Sequence, residues 1–388
     1  MQFVRTEFLK PGMRLAKPIY NKSGVLLHER DSKLTDSAIN SIHNFGLIGI
    51  YVLEPAEPLP PLSEEDIEFE KKQTVYVFQF KETIDSLLNG SLSEKFNPLV
   101  EDISLKFGTL KHMINFSQNM RSPDDYLYKH GVSIAILSAM ITRVLNLNIR
   151  HQKTCVAAAL LSNIGYNYVP KEILNKGAWL SENDKNTIQH AMEKGYELIR
   201  KYENKLLFPP DMTDLIEYYI YSSSTEHSKP QAYKTTELLS DVLKVANTFD
   251  QLTAMNINHM PLSEVTAMKF LYAERSKYNK KVVDALSKCI HIMPKGASVD
   301  LTTGDKAIVL EENHDDFMKP LILRLVDNQI YDLSDPKIYR YIQISDLMKT
   351  MDNRIKIDKE TLKQFVPDPR IKALAAKFKK EKQNTQPA

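Results

Sequence analysis

The chain has 388 residues, 43% of them apolar and 26% charged, a balance that excludes a disordered or membrane-embedded protein. A net charge of +2 gives no general attraction to nucleic acid or acidic lipid, so no nucleic acid polymer is expected as a partner. The length predicts two or three domains, and no apolar run approaches the roughly 18–20 residues of a membrane span.

In chain order, residues 1–56 read as a small α/β unit. LAKPIYNKSGVLLHE alternates around a turn at Asn21–Gly24 and predicts a hairpin. TDSAINSIHNFG predicts a short helix capped near Thr35 and closed at Gly46, and LIGIYV predicts a further strand. The proline-rich PAEPLPPL interrupts both periods and opens a stretch, 57–118, read as linker and connecting helices. There SEEDIEFEKKQ starts with a cap and an acidic first turn, and IDSLLNG stops at a glycine.

Helical periodicity recurs in LVEDISLKFGTLKHMI, HGVSIAILSAMITRVLNL, QKTCVAAALLS, NDKNTIQHAMEKGYELIRKY, DLIEYYIYS, TTELLSDVLKVANTFDQLTA, LSEVTAMKFLYAE and KKVVDALSKCI, so the chain is expected to be helical from Ser63 to about Ile292, with 119–292 as the helical domain proper. PKGASVDLTTGDKAIVLEEN and KPLILRLVDNQIYDL return to strand–turn–strand patterns, making 293–365 a β-rich extension. A basic tail, 366–388, follows; after Pro369, Arg370, Lys372, Lys377, Lys379, Lys380 and Lys382 face only Glu381, and a solvated, frayed helix end is expected. The fold class expected is mainly α, a helical bundle between these two small appendages.

The start, MQFVRTEFLKPGMRL, lacks the unbroken apolar core of a signal peptide, and a cytoplasmic location is expected. Cys155 and Cys289 form no CxxC pair and read as reduced core cysteines. No GxxxxGK[ST], GxGxxG after a strand, HExxH or GxSxG occurs.

Four helical segments, in order, carry a resemblance: YLYKHGVSIAILSAMI, AALLSNIGYNYVPKEILNKGAWL, NDKNTIQHAMEKGYELI and KVANTFDQLTA. Together they resemble the HD-GYP family, HD-superfamily phosphohydrolases that cleave cyclic di-GMP at two or three metal ions, often iron or manganese. The resemblance extends over most of the chain, because the N-terminal unit is similar to the domain often fused ahead of HD-GYP domains and PKGASVDLTTGDKAIVL to the extension that follows many of them.

Hydrolysis at a metal pair needs several imidazole and carboxylate donors holding ions about 3.5–4 Å apart. By resemblance, His130 matches the first histidine and His190 a later one. The carboxylate one helical turn before His130 is replaced by Tyr126, with Asp124 and Asp125 close in sequence. The HD pair falls on Ser162 and Asn163, the lysine that follows it on Tyr166, and the late Ala-Asp position on Asn247; these are vestigial positions. No histidine stands from Ala191 to Glu226 to supply the His-His pair, and HSKPQAYKT keeps neither glycines nor the GYP tripeptide.

The incomplete metal set left is His130, His190 and Asp250, with His227 and Glu226 as displaced donors; Asp250 also reads as a residue that caps or bridges helices. Arginine, suited to gripping phosphates, is absent from Lys201 to Glu274, and Lys205, Lys229, Lys234, Lys244 and Lys269 read as a solvated face. Trp179 is expected to pack on a helix start and not to stack on a base.

The resemblance therefore implies a catalytically degenerate HD-GYP-like protein with no catalytic residue, expected to bind a protein partner in bacterial cyclic di-GMP signalling without a cofactor. A second reading is a receptor that binds cyclic di-GMP without cleaving it. A third is a metal-dependent phosphodiesterase with a rearranged site, which alone would require iron or manganese. The N-terminal unit is expected to serve regulatory contact or homodimer formation, by analogy with its place in the family.

Overall fold

The computed structural model describes residues 2–45, 47, 49–53, 61–91, 93–117, 121, 124–174, 176, 180–203, 208–222, 232–254, 261–348, 354, 355 and 357. Strands β1 (Gln2–Arg5), β2 (Arg14–Leu15), β3 (Ile19–Tyr20) and β4 (Leu26–His28), helix α1 (Asp36–Asn44) and strand β5 (Gly49–Leu53) form the N-terminal unit. β5 lies between β1 and β2, antiparallel to both, and β3 pairs with β4 around the anticipated turn. Thr35 caps α1 by accepting the Ala38 N–H, and Leu15, Leu34, Ile42, Ile50 and Val52 form a small separate core.

The helices follow: α2 (Glu64–Leu88), α3 (Phe96–Phe107), α4 (Tyr126–Val144) and α5 (Ile149–Leu161), then a 3-10 turn (Ile164–Tyr168) and α6 (Lys171–Leu174), α7 (Glu182–Tyr202), α8 (Met212–Tyr221), α9 (Lys234–Thr253), α10 (Glu264–Ala273) and α11 (Lys280–Leu286). Every residue of α4 from His130 to Thr142 is buried, and α2, α3, α5, α9 and α11 pack around it. A helix apolar on all sides is stable only in such a sheath. Among the described residues no helix is long and apolar enough to cross a membrane.

The stretch 57–118 does more than connect. Phe69, Tyr76, Phe80, Ile84 and Leu87 of α2 and Phe96, Leu99, Ile103 and Phe107 of α3 belong to the same core as α4. LVEDISLKFGTLKHMI is helical only to Phe107: Gly108 ends α3 on Ser104, and Ile114 then pairs in parallel with Ile290. The core continues into an antiparallel sheet of β6 (Ser298–Leu301), β7 (Lys306–Glu311), β8 (Leu321–Arg324) and β9 (Gln329–Asp332), followed by α12 (Pro336–Tyr339) and β10 (Ile344–Leu347), in the order β10-β6-β7-β8-β9. The hairpins β6–β7 and β8–β9 match the sequence reading, whereas the edge strand β10 does not appear in it.

Backbone packing fixes the turn after α5. A methyl group on Gly165 would stand 2.4 Å from the Ala191 carbonyl oxygen and 2.5 Å from Met192 Cα, and one on Gly195 would meet the Gly165 backbone at 2.6 Å. This glycine pair lets the 3-10 turn lie directly on α7. Gly165→Ala must push two backbones apart and is expected to cost about 2–3 kcal/mol, read as a lower urea midpoint at unchanged slope.

Candidate functional site

The segment before α4 is tied down on both sides. Ile114 exchanges backbone hydrogen bonds with Cys289 and His291. Asn115 Nδ2 donates to Asp66 Oδ1 at 2.8 Å, beside the capping box that Asp66 forms with Ser63 at the start of α2. Gln73 donates to the Ser117 carbonyl, and Ser117 Oγ to Glu70, whose carboxylate also pairs with Lys17 of the N-terminal unit at 3.0 Å. Four residues further on in sequence, the Arg121 side chain lies in the helical core and is 1% exposed.

Arg121 meets Asp250 of α9 as a two-pronged ion pair: Nη1 donates to Oδ2, and Nη2 donates to Oδ1 at 2.5 Å. Nη2 also donates to Ser133 Oγ at 3.2 Å. His130 Nδ1 donates to Asp250 Oδ2 at 2.5 Å, and its Nε2 lies 2.9 Å from Asn247 Oδ1. Because Nδ1 carries the proton toward Asp250, its 3.2 Å approach to Arg121 Nη1 is a contact and not a hydrogen bond. Asn247 and Asp250 share one face of α9 at i, i+3 spacing, so one imidazole braces α4 against α9 twice.

Two tyrosines roof this cluster. The Tyr126 ring stacks on His130 at 5.0 Å between centroids, and Tyr166 meets both rings edge-on at 5.1 and 5.9 Å. Gln251 Nε2 donates to the Tyr166 hydroxyl at 3.0 Å. Burial pushes both phenols up, so they stay neutral donors. Burial also pushes the Asp250 carboxyl up, but the Arg121 charge and the hydrogen bonds from His130 and Arg121 outweigh it and hold the group down at about 2. For Arg121, burial opposes the charge and the adjacent carboxylate restores it, raising the guanidinium above its ordinary value.

The structure thus joins His130, Asp250 and Asn247 and separates them from His190, whose side chain is 65% exposed on α7 with Nδ1 3.3 Å from Glu193 Oε2. Ser162 ends α5, and Asn163 follows it; both are buried and neutral, with Asn163 Nδ2 3.4 Å from Ser162 Oγ. Asp124 pairs with Lys171 and Asp125 with Lys129, both away from the core. Lys269 Nζ donates to the Ser345 carbonyl of β10 at 2.6 Å. Burial pushes the Cys155 and Cys289 thiols up to about 12, which keeps both protonated. Trp179, Lys205, Glu226, His227, Lys229 and the basic tail lie outside the described residues.

Residues 115–282 match the HD domain family. A curated cyclic di-GMP phosphodiesterase of Pseudomonas aeruginosa is 22% identical over 224 residues, which are 58% of this chain and 54% of the relative. The chain thus carries a match to the HD domain and is similar to a cyclic di-GMP phosphodiesterase. It spans about half the length of the curated relative it matches. An HDG"Y"P protein from Bdellovibrio bacteriovorus, known as a solved structure, aligns with 74% of this chain and 97% of its own at 13% identity and a TM-score of 0.42.

The donors present do not fit the metal pair that HD-GYP enzymes use. Among the described residues no three His, Cys, Asp or Glu side chains come together. Asp250 spends both oxygens on Arg121 and His130, and the ring nitrogen nearest it is a donor. Arg121 was absent from the sequence reading. It stands in NMRSPDDY with no periodicity or motif around it, and only the approach of a residue 129 positions away reveals its role.

Proposed function

We propose that this chain is a catalytically degenerate HD-GYP family member, and that it acts as a binding module in bacterial cyclic di-GMP signalling without hydrolysing the dinucleotide. The observation that carries this is the commitment of Asp250, a buried carboxylate beside His130, to a guanidinium and an imidazole N–H. A carboxylate engaged in this way has its charge already neutralised by a guanidinium and both oxygens occupied by hydrogen bonds, and Ser162, Asn163 and Asn247 offer no anionic replacement. The likeness to a phosphodiesterase supports the pathway; the neutral former ligand positions support the loss of chemistry.

The test is metal analysis of protein purified anaerobically without chelator, beside a cyclic di-GMP hydrolysis assay on the same sample. We expect metal well below stoichiometry and no turnover above a protein-free blank, for wild type and His130→Ala alike. About two equivalents of iron or manganese, with turnover abolished in His130→Ala, would overturn the reading. Titration of the same sample with cyclic di-GMP then separates the two non-hydrolytic roles. Saturable micromolar binding makes the module a receptor, and its absence at millimolar ligand leaves a protein-binding scaffold.

A further inference from the structure

We infer that Arg121 is a built-in cation: its guanidinium takes, from within the chain, the place of an ion that would neutralise Asp250, and the pocket it fills is still a cation site when that side chain is removed. The inference deepens the functional reading above and rests on it.

Three features support it. The guanidinium meets Asp250 Oδ1 and Oδ2 together and Ser133 Oγ as well, so three oxygens converge on one positive group, as they would on a bound cation. Every other charged or titratable group against Asp250 lies on a different element. His130 comes from α4, and the roof comes from Tyr126 and the 3-10 turn at Tyr166, so removing the Arg121 side chain vacates the guanidinium's space and leaves the carboxylate in place. Finally, Ile114, Asn115 and Ser117, which precede Arg121, are held by hydrogen bonds independent of the ion pair.

A buried carboxylate stripped of its counter-charge must protonate or recruit a cation. The species that best matches the vacated shape is guanidinium itself, planar and able to donate two parallel hydrogen bonds to a carboxylate.

The experiment uses the full chain with Arg121→Ala and follows thermal unfolding with guanidinium chloride at low millimolar concentration, far below denaturing levels, against equal sodium chloride. Manganese chloride serves as a second probe. Arg121→Ala is expected to melt below wild type and to be raised saturably by guanidinium but not by sodium. Wild type and Arg121→Ala/Asp250→Asn are expected not to respond.

A response that survives in the double variant, or no response to either cation, overturns the inference. Should Arg121→Ala not fold, Arg121→Lys and Arg121→Gln decide the matter. The lysine variant, which keeps the charge, must melt clearly above the glutamine variant, and equal midpoints overturn the inference. No readout here involves turnover, so a failure of this idea is distinguishable from metal-dependent hydrolysis by wild type, which would overturn the functional reading instead.

Discussion

Asp250→Ala is expected to lower stability by about 3–5 kcal/mol, the range for breaking a buried ion pair by removing one partner. The substitution leaves the Arg121 guanidinium and the His130 Nδ1–H without their acceptor in a region closed to water. Removing both charges should cost far less. In Arg121→Met/Asp250→Leu, apolar side chains of similar length fill the space, and exchanges of this kind are often close to neutral. Urea unfolding of wild type, Arg121→Met, Asp250→Leu and the double variant gives the coupling from a double-mutant cycle. A loss in Asp250→Ala no greater than the ~0.5 kcal/mol of an ordinary surface change would mean that water reaches the pair.

This contrast separates the ionic group's two effects. Its net stabilisation is small, because desolvating two charges cancels most of their attraction. Its effect on arrangement is large. Arg121, His130, Ser133, Asn247 and Asp250 come from a loop and two helices, and their hydrogen bonds are satisfied together only when α4, α9 and the loop stand in one register. Without Arg121, Asp250 would lose the guanidinium that neutralises it in the core. The ion pair provides that counter-charge while α4 and α9 stay packed together.

Much of the architecture was legible in the sequence because it rests on local chemistry. The serine cap at Ser63, closed reciprocally by Asp66, marks a helix start that needs no tertiary information. Gly90 and Gly304 adopt positive φ where a helix stop and a hairpin turn were expected. Resemblance located His130, Asn247 and Asp250, and the structure joins them. What could not be read depends on distant partners: β10 is a four-residue edge strand defined by its pairing with β6, and α3 stops at Gly108 although the apolar pattern continues. Exposure of His190 follows from its place on the outer face of α7, a matter of helix rotation that spacing alone leaves open.

Acid should act through the same cluster. The Asp250 carboxyl is held at about 2 against an ordinary value of 3.8, so the folded state binds its proton more weakly than the unfolded chain does. A lowered native value contributes stability that is complete above the unfolded value and is lost as pH falls through the folded one, which places the window between about pH 4 and about pH 2. A displacement of that size corresponds to about 2–3 kcal/mol. Asp327 is also held at about 2, chiefly by its hydrogen bond from Arg324, but that pair is partly exposed and solvent screens it, so its share of acid sensitivity is smaller. Comparing wild type with Asp250→Asn isolates the buried group. The stability gap between them is expected to stay constant above about pH 5 and to narrow steadily toward about pH 2. A gap that does not change over that range would show that the folded protein binds the Asp250 proton as strongly as the unfolded chain does, so that Arg121 and His130 do not hold the carboxyl down.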